Sequence, residues 1–146
     1  MANYCSTVRT NYFHVKDPEK FRELMSRVYG NEESIDIWEK KDPDGNLVFG
    51  FGVYGGISGL RPAEYIEEGD DEEDSYDDFT AALQEHVAED DAIIIMESGH
   101  EKLRYVIGLA TVITSTACEM IDMTTAAKKR ARTLLNNKDW TTECYC

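Results

Sequence analysis

Residues 35–54 read IDIWEKKDPDGNLVFGFGVY, and this stretch predicts a β-hairpin. Ile35, Ile37 and the apolar stretch 47–54 flank the turn sequence Asp42-Pro43-Asp44-Gly45. Proline presets φ and glycine tolerates positive φ, so both suit a tight turn between two strands. Strands that are joined by short turns run antiparallel, and we therefore expect a mostly antiparallel sheet.

The residues before the hairpin predict a strand and then a helix. Residues 5–16 are rich in Thr, Val, Tyr and Phe, which are frequent in strands. Asp17 suits an N-cap, and Pro18 suits the first helical position because its missing N–H would be unpaired there anyway. The helix is predicted to end at Gly30, and its apolar face is formed by Phe21, Leu24, Met25 and Val28.

The residues after the hairpin predict a loop and a second helix. Residues 57–74 contain glycine and proline and have no helical period, so we expect a loop there. Ser75 is expected to cap a helix that runs to about Ala88, with Asp78 completing a capping box. The side chains predicted to face inward are Phe79, Ala82, Leu83 and Val87.

The C-terminal part predicts further strands and a last helix. Strands are expected at 92–96 and 103–114, with a turn beginning at Ser98-Gly99-His100 between them, and another strand is expected at 117–122. Thr124 or Thr125 is expected to cap the last helix. The side chains predicted to face inward there are Ala127, Ala131, Leu134 and Leu135.

Together these elements predict an α+β fold in one domain that spans residues 1–146. The sheet should be mostly antiparallel, with about five or six strands and three helices that lie largely on one face. A hydrophobic fraction of 42% is enough for a chain of this length to bury a core.

Residues 64–91, which we name the acidic segment, carry the net charge of the whole chain. They read EYIEEGDDEEDSYDDFTAALQEHVAEDD and hold 14 of the 29 acidic residues and none of the 15 basic ones. The remainder therefore has 15 acidic and 15 basic residues, and the net charge of −14 belongs to the segment. Such a field repels nucleic acid and anionic membranes and attracts basic surfaces.

The acidic segment is the predicted partner-binding site. If it were entirely helical, its carboxylates would be spaced at about one per 3 Å, close to the charge spacing of about 3.4 Å along one DNA strand. That density allows imitation of a nucleic-acid backbone, although acidic runs also serve as solvated, solubilising loops. The predicted partner-binding residues are Glu64, Glu67, Glu68, Asp70, Asp71, Glu72, Glu73, Asp74, Asp77 and Asp78.

The segment Gly50–Gly55 matches G-x-G-x-x-G, but its sequence context does not suit a nucleotide site. A dinucleotide site needs a helix to begin there, whereas Gly56, Gly59, Pro62 and then the acids come next in the chain. The glycine-rich loop of kinases has the same spacing, but this chain has no His-Arg-Asp or Asp-Phe-Gly sequence. We interpret the motif as a glycine-interrupted strand that another backbone approaches closely.

Two patterns are reminiscent of metal sites without meeting their requirements. Asp42, Asp44 and Asn46 resemble the start of a calcium loop, but Leu47 stands where that loop requires glycine, and a turn is expected instead. Cys144-x-Cys146 is one short pair, whereas structural zinc sites usually have two. We therefore predict no metal site and no cofactor.

No catalytic residue is predicted, because no nucleophile, zinc-protease or phosphate-loop motif occurs. His14, His86 and His100 are expected to be ordinary surface or half-buried side chains. Cys5 and Cys118 are expected to be reduced and to bind no metal, since neither belongs to a metal-spaced pair.

One basic cluster, formed by Lys128, Lys129, Arg130 and Arg132, lies in the predicted last helix. Its first interpretation is a solvated helix face. Neutralisation of part of the acidic segment and contact with nucleic acid are the other two, although four basic charges would act against a net charge of −14.

The ends of the chain resemble a known group of proteins. The opening 1–6, MANYCS, the subsequent Arg9-Thr10-Asn11-Tyr12-Phe13 and the closing Asp139-Trp140-Thr141-Thr142 resemble small uncharacterised acidic proteins of bacterial phages and plasmids. The opening is also similar to a ferredoxin-like plasmid family that begins M-x-N-W-C-S-N, from which this chain departs at Tyr4 and Thr7. The resemblance implies a mobile genetic element, where anti-CRISPR proteins and antirestriction DNA mimics occur.

The function expected from these observations is non-enzymatic inhibition. The acidic segment would occupy the basic nucleic-acid-binding site of a host defence protein, such as a CRISPR effector or a restriction enzyme, without contact to nucleic acid or membrane. The alternatives are a small adaptor module with a merely solubilising acidic loop, and a metal-dependent enzyme without a motif. No apolar run of about 18 residues and no leader sequence is present, so a cytoplasmic location in a bacterial host is expected.

Overall fold

The computed structural model describes residues 4–61 and 75–144, with Ser75 described in its backbone only. These residues form eight strands and three helices. In chain order they are β1 (Cys5–Thr10), α1 (Pro18–Ser26), β2 (Val28–Gly30), β3 (Asp36–Lys41), β4 (Leu47–Tyr54), β5 (Ile57–Leu60), α2 (Ser75–His86), β6 (Ile93–Glu101), β7 (Tyr105–Ile113), β8 (Cys118–Asp122) and α3 (Met123–Leu135).

Six strands form one sheet in the order β3-β4-β1-β6-β7-β8, and every neighbouring pair is antiparallel. β2 and β5 pair separately as a small antiparallel sheet. The predicted α+β class with a mainly antiparallel sheet and three helices is confirmed. β1 lies in the middle of the sheet, because it pairs with β4 on one side and with β6 on the other.

The core lies on one face of the six-stranded sheet, under α1 and α2. Five phenylalanines, all fully buried, occupy its centre: Phe13, Phe21, Phe49, Phe51 and Phe79. Their rings meet edge to face or tilted, as in the contact of Phe21 with Phe49 at 4.9 Å between centroids. Such pairs add to the stabilisation that burial of their apolar area already gives.

The start of α1 is as predicted and its end is not. The Asp17 side chain accepts hydrogen bonds from the backbone N–H groups of Glu19 and Lys20, and Pro18 is the first helical residue. The helix ends at Ser26 rather than at Gly30, because Val28–Gly30 pairs with Ile57–Leu60 as a strand. The prediction of a loop at 57–60 is therefore wrong, and 62–74 lies outside the described residues.

β6 continues through the predicted turn at Ser98-Gly99-His100. Each of these residues pairs with β1 on one side and with β7 on the other. Ser98, for example, lies opposite Thr7 of β1 and Gly108 of β7. Two ladders of backbone hydrogen bonds outweigh the local turn preference of the sequence. The chain turns instead at 102–104, where Lys102 has a φ of 49°.

The last helix differs from the prediction in its cap and in its buried side. Asp122, not Thr124 or Thr125, is the N-cap, and its carboxylate accepts hydrogen bonds from the backbone N–H groups of both threonines. Leu134 and Leu135 are 73% and 56% exposed rather than inward. Ala127 is exposed as well, and of the predicted inward set only Ala131 is half-buried.

The glycines of Gly50–Gly55 have the structural role that was predicted. Residues 50, 52 and 55 belong to β4 or come directly after it, so no helix begins there. A Cβ on Gly52 would lie 2.8 Å from the backbone oxygen of Val8 and 3.0 Å from the Trp38 ring. The close approach of β1 to β4 thus requires glycine at this position.

Candidate partner-binding surface

Helix α2 carries the described half of the acidic segment and is fixed to the core. Phe79 and Leu83 of the helix and Val87 just after it are fully buried. The Phe79 ring packs on Phe51 at 5.9 Å and on Tyr76 at 6.0 Å between centroids. The helix period therefore turns Asp77, Asp78 and Glu85 outward.

The predicted partner-binding residues fall into two groups. Asp77 and Asp78 are exposed in the first turn of α2, where negative charge also suits the positive end of the helix dipole. The other eight lie outside the described residues, so their role stays a prediction: Glu64, Glu67, Glu68, Asp70, Asp71, Glu72, Glu73 and Asp74. At the far end of the segment, Glu85, Glu89 and Asp90 are exposed too.

The start of α2 lies beside β8, the last strand of the sheet. Tyr76 and Met120 line one cavity of about 240 Å³, together with Val8, Ile57, Ile95, Glu97, Leu109 and Thr111. Burial raises the pKa of Tyr76, and the charges of Glu97, Cys118 and Asp77 raise it further. The first turn of α2 therefore lies next to this edge of the sheet.

The two edge strands of the sheet differ in character. β3 reads DIWEKK and has charged residues along its length, and its Glu39 accepts hydrogen bonds from Arg22. β8 reads CEMID and is exposed over most of its length, with Met120 and Ile121 at 64% and 51% exposure. Charges protect an edge against further pairing, and exposed apolar residues do not.

Sequence reasoning did not identify β8 as a candidate surface. The available signal was the placement of two adjacent apolar residues, Met120 and Ile121, in the last strand before the final helix. Neighbouring residues in a strand point to opposite faces, so such a pair leaves an apolar side chain on each face of the edge.

The basic cluster belongs to α3, which lies against the other face of the sheet. Met123 at the start of α3 packs over Gly108 of β7. Thr111 and Ile113 of the same strand are buried, and Gly108, at an odd separation from both, lies on the opposite face. Lys129 and Arg130 are exposed, and Arg132 donates from its Nε to the backbone oxygen of Trp140. The sheet thus separates the cluster from α2 and its acids.

His14 is held between two carboxylates, an arrangement that the sequence did not predict. Its Nε2 lies 2.7 Å from Asp42 Oδ2, and its Nδ1 lies 2.8 Å from Asp91 Oδ2. Hydrogen bonds to Asp42 and then Asp91 raise the pKa of His14. Two acceptors require two N–H donors, so the geometry selects the imidazolium form.

The same carboxylates organise the backbone around them. Asp42 Oδ1 accepts hydrogen bonds from the N–H groups of Asp44 and Asn46, which is the predicted turn. The bond from His14, together with these backbone bonds, lowers the pKa of Asp42. Burial raises the pKa of Asp91, but hydrogen bonds from His14 and Ala92 together lower it.

A cavity of about 1030 Å³ lies where β1 begins and β6 ends. Cys5 and His100 line it and are cross-strand partners. A thiol beside an imidazole can act as a nucleophile with its base, provided that a third group orients the ring. Within the described residues, no carboxylate is hydrogen-bonded to the His100 ring.

Cys5, Cys118 and Cys144 are exposed and belong to no disulfide among the described residues. The reduced state of Cys5 and Cys118 stays a prediction. In the described part of the chain, no three His, Cys, Asp or Glu side chains are grouped to hold a metal ion. No helix among residues 4–61 and 75–144 has both the length and the apolar character needed to cross a membrane.

Comparison with known proteins gives no family. No protein-family model, no curated protein and no solved structure matches the chain.

Proposed function

We propose that this chain is a non-enzymatic binding protein that inhibits a host defence nuclease. The acidic segment occupies the basic nucleic-acid-binding site of its target, for which a CRISPR effector or a restriction enzyme is the proposed class. One observation carries the proposal: the whole net charge of −14 belongs to residues 64–91. Nucleic-acid channels are lined with Lys and Arg, so they attract a dense row of carboxylates.

The anchoring of α2 supports this use of the segment. Phe79 and Leu83 fix the helix, so the exposed Asp77 and Asp78 stand on an ordered backbone. An acidic group that is already positioned loses less conformational freedom on binding than one on an unstructured chain. Attraction over a distance also raises the association rate, which helps an inhibitor that competes with nucleic acid.

The adaptor alternative also has a specific observation in its favour. Five large apolar side chains are about half exposed or more on the last strand and helix: Met120, Ile121, Met123, Leu134 and Leu135. Scattered apolar residues are normal on a surface, but a concentration within one short segment indicates an interaction site. In that interpretation the acidic segment keeps the protein soluble and β8–α3 binds the partner.

The test is competition with DNA on purified targets. A panel of restriction enzymes and CRISPR effectors is mixed with labelled DNA, and displacement by the protein is measured at low salt. We expect displacement from at least one target. Changing Asp70, Asp71, Glu72, Glu73 and Asp74 to Asn or Gln should weaken it at least tenfold, which is about 1.4 kcal/mol.

The chain offers a matched control for this variant. Glu32, Glu33, Asp44, Asp139 and Glu143 are exposed acids outside the segment, and their neutralisation removes the same charge. The control should displace DNA almost as well as the unchanged protein. If the control and the 70–74 variant lose DNA displacement to the same extent, only net charge matters and the proposed site is wrong. If only changes in β8 or α3 abolish binding, the adaptor interpretation replaces this one.

A further inference from the structure

The edge of β8 has backbone groups that point away from the sheet. The Thr114 N–H donates to the Ala117 oxygen at 2.8 Å, at the turn between β7 and β8. In an antiparallel pair, hydrogen-bonded positions alternate along the strand. Glu119, opposite Val112, and Ile121, opposite Ala110, therefore bond to β7. Cys118 and Met120 direct their N–H and C=O groups outward.

Beside these outward groups lies a cavity that is suited to one side chain. It measures about 240 Å³ and is lined by Tyr76, Leu109 and Met120 among others. Small-molecule pockets begin at about 300 Å³, so a single apolar side chain is a better occupant than a separate ligand. Met120, which lines the cavity, is 64% exposed.

The charges around this cavity are acidic. Glu97 lines it, and Asp77 and Asp78 come directly after Tyr76 in α2. The basic cluster on α3 lies against the opposite face of the sheet. An occupant on this side therefore gains from Lys or Arg at the positions that flank its apolar residue.

We propose that β8 accepts an extended basic segment of the partner protein as an added antiparallel strand. Its central apolar side chain enters the cavity beside Tyr76 and Met120, and a Lys or Arg two residues away on each side meets the surrounding carboxylates. Strand addition gives affinity through backbone hydrogen bonds and specificity through alternate side chains. This site rests on the proposed function in one respect, namely that the partner is basic.

A second copy of this chain is a poorer occupant. Pairing β8 with itself about Met120 would place Met120 against Met120, which is favourable. It would also bring Glu97 and Asp77 of the two copies to one seam, where like charges repel. The oligomeric state of the free protein separates the two cases.

The probe is the peptide acetyl-Lys-Val-Leu-Val-Lys-amide. When it pairs antiparallel with β8, Leu lies opposite Met120 and the two lysines lie opposite Cys118 and Asp122. Titration at low salt should show binding, and the amide hydrogens of Cys118 and Met120 should exchange at least tenfold more slowly with the peptide bound. N-methylation of the Leu amide keeps the charge and removes the bond to the Met120 oxygen, so affinity should fall at least tenfold.

Two protein variants complete the test. Met120→Pro removes the outward N–H without removing a bond to β7 and should weaken peptide binding at least tenfold. Ile37→Pro makes the matching change on the β3 edge. The Asp42 N–H donates to the Asn46 oxygen, so the alternation of hydrogen-bonded positions along β3 leaves the Ile37 N–H pointing outward. This variant should bind the peptide as the unchanged protein does. Thermal unfolding checks that both variants fold. If Met120→Pro does not fold, the N-methylated peptide decides alone.

The outcomes separate this inference from the proposed function. If both the N-methylated peptide and Met120→Pro leave binding unchanged, strand addition is wrong, although the acidic segment can still bind basic surfaces. If the variant neutralised at residues 70–74 displaces DNA as well as the unchanged protein does, while N-methylation abolishes peptide binding, the β8 site stands and the proposed electrostatic function fails. A dimeric free protein whose Cys118 and Met120 amides are already protected overturns the inference in favour of self-pairing.

Discussion

At the scale of single residues, the clamp on His14 makes stability depend on pH. A raised pKa in the folded state means that the imidazolium stabilises the fold fully below the unfolded pKa of about 6.5, and that this contribution is lost as pH rises through the folded value. The lowered pKa values of Asp42 and Asp91 act in the opposite sense. Their contribution is complete above about pH 4 and is lost as pH falls through their folded values.

We expect His14→Gln to destabilise the protein most at mildly acidic pH. Glutamine can donate to one carboxylate but carries no charge, so the loss should be largest between about pH 4.5 and about pH 6. It should become smaller as pH rises through the folded pKa of His14, above which the unchanged histidine is neutral too. Urea unfolding of both proteins at these pH values measures it. An equal loss at all pH values would show that His14 acts only through packing.

Gly52→Ala should destabilise the fold through a steric clash. Its Cβ would meet the Val8 backbone oxygen at 2.8 Å, and backbone cannot move aside as a flexible side chain can. The expected cost is about 1–3 kcal/mol in the free energy of unfolding. A Cβ on Gly45 would meet nothing within 4 Å, although the φ of this residue is 84°. Asparagine tolerates that conformation, so Gly45→Asn is the control that should change little. A loss in the control equal to that of Gly52→Ala would contradict the steric account.

The difference between Gly52 and His14 shows what a sequence can predict. Glycines in an apolar stretch without a helix after it already indicate a closely approached strand. The partners of His14 stand far from it along the chain, Asp42 at a separation of 28 and Asp91 at 77. No local pattern relates three such positions, and only the fold brings them together.

At the scale of elements, α2 and α3 should respond differently to loss of a leucine. Leu83 of α2 is fully buried, whereas Leu134 of α3 is 73% exposed. We expect Leu83→Ala to cost about 2–5 kcal/mol and Leu134→Ala less than about 0.5 kcal/mol. Denaturant unfolding of the two variants measures this. A large loss for Leu134→Ala would mean that α3 is covered in solution.

Elements with local signals were predicted well, and those set by pairing were not. Asp17-Pro18 fixed the start of α1 because the cap and proline act on adjacent residues. The cap of α3 was missed because Asp122 also ends a strand, and the nearby threonines are acceptable caps themselves. β2 and β5 are only 3 and 4 residues long, so their hydrophobic period is too short to see.

At the scale of the whole molecule, the concentrated charge should oppose folding at low salt. Carboxylates of one sign within residues 64–91 repel each other, and this repulsion is relieved by screening. We expect the unfolding temperature to rise when sodium chloride is raised from about 10 mM to about 0.5 M, and to rise less in the variant neutralised at 70–74. Calorimetry at both salt concentrations checks it, and an equal rise in both proteins would place the repulsion elsewhere.

The central position of β1 has a consequence for synthesis on the ribosome. Cys5–Thr10 leaves the ribosome long before one of its two neighbours, Ile93–Glu101, because the two strands lie far apart along the chain. Until then Val8 and one row of backbone groups on β1 have nothing to cover them from that side. Pairing of such distant segments slows folding, typically to milliseconds or seconds. A nascent chain halted before β6 should therefore be sensitive to proteases and dependent on chaperones, and release of the remaining residues should complete the sheet in one late step.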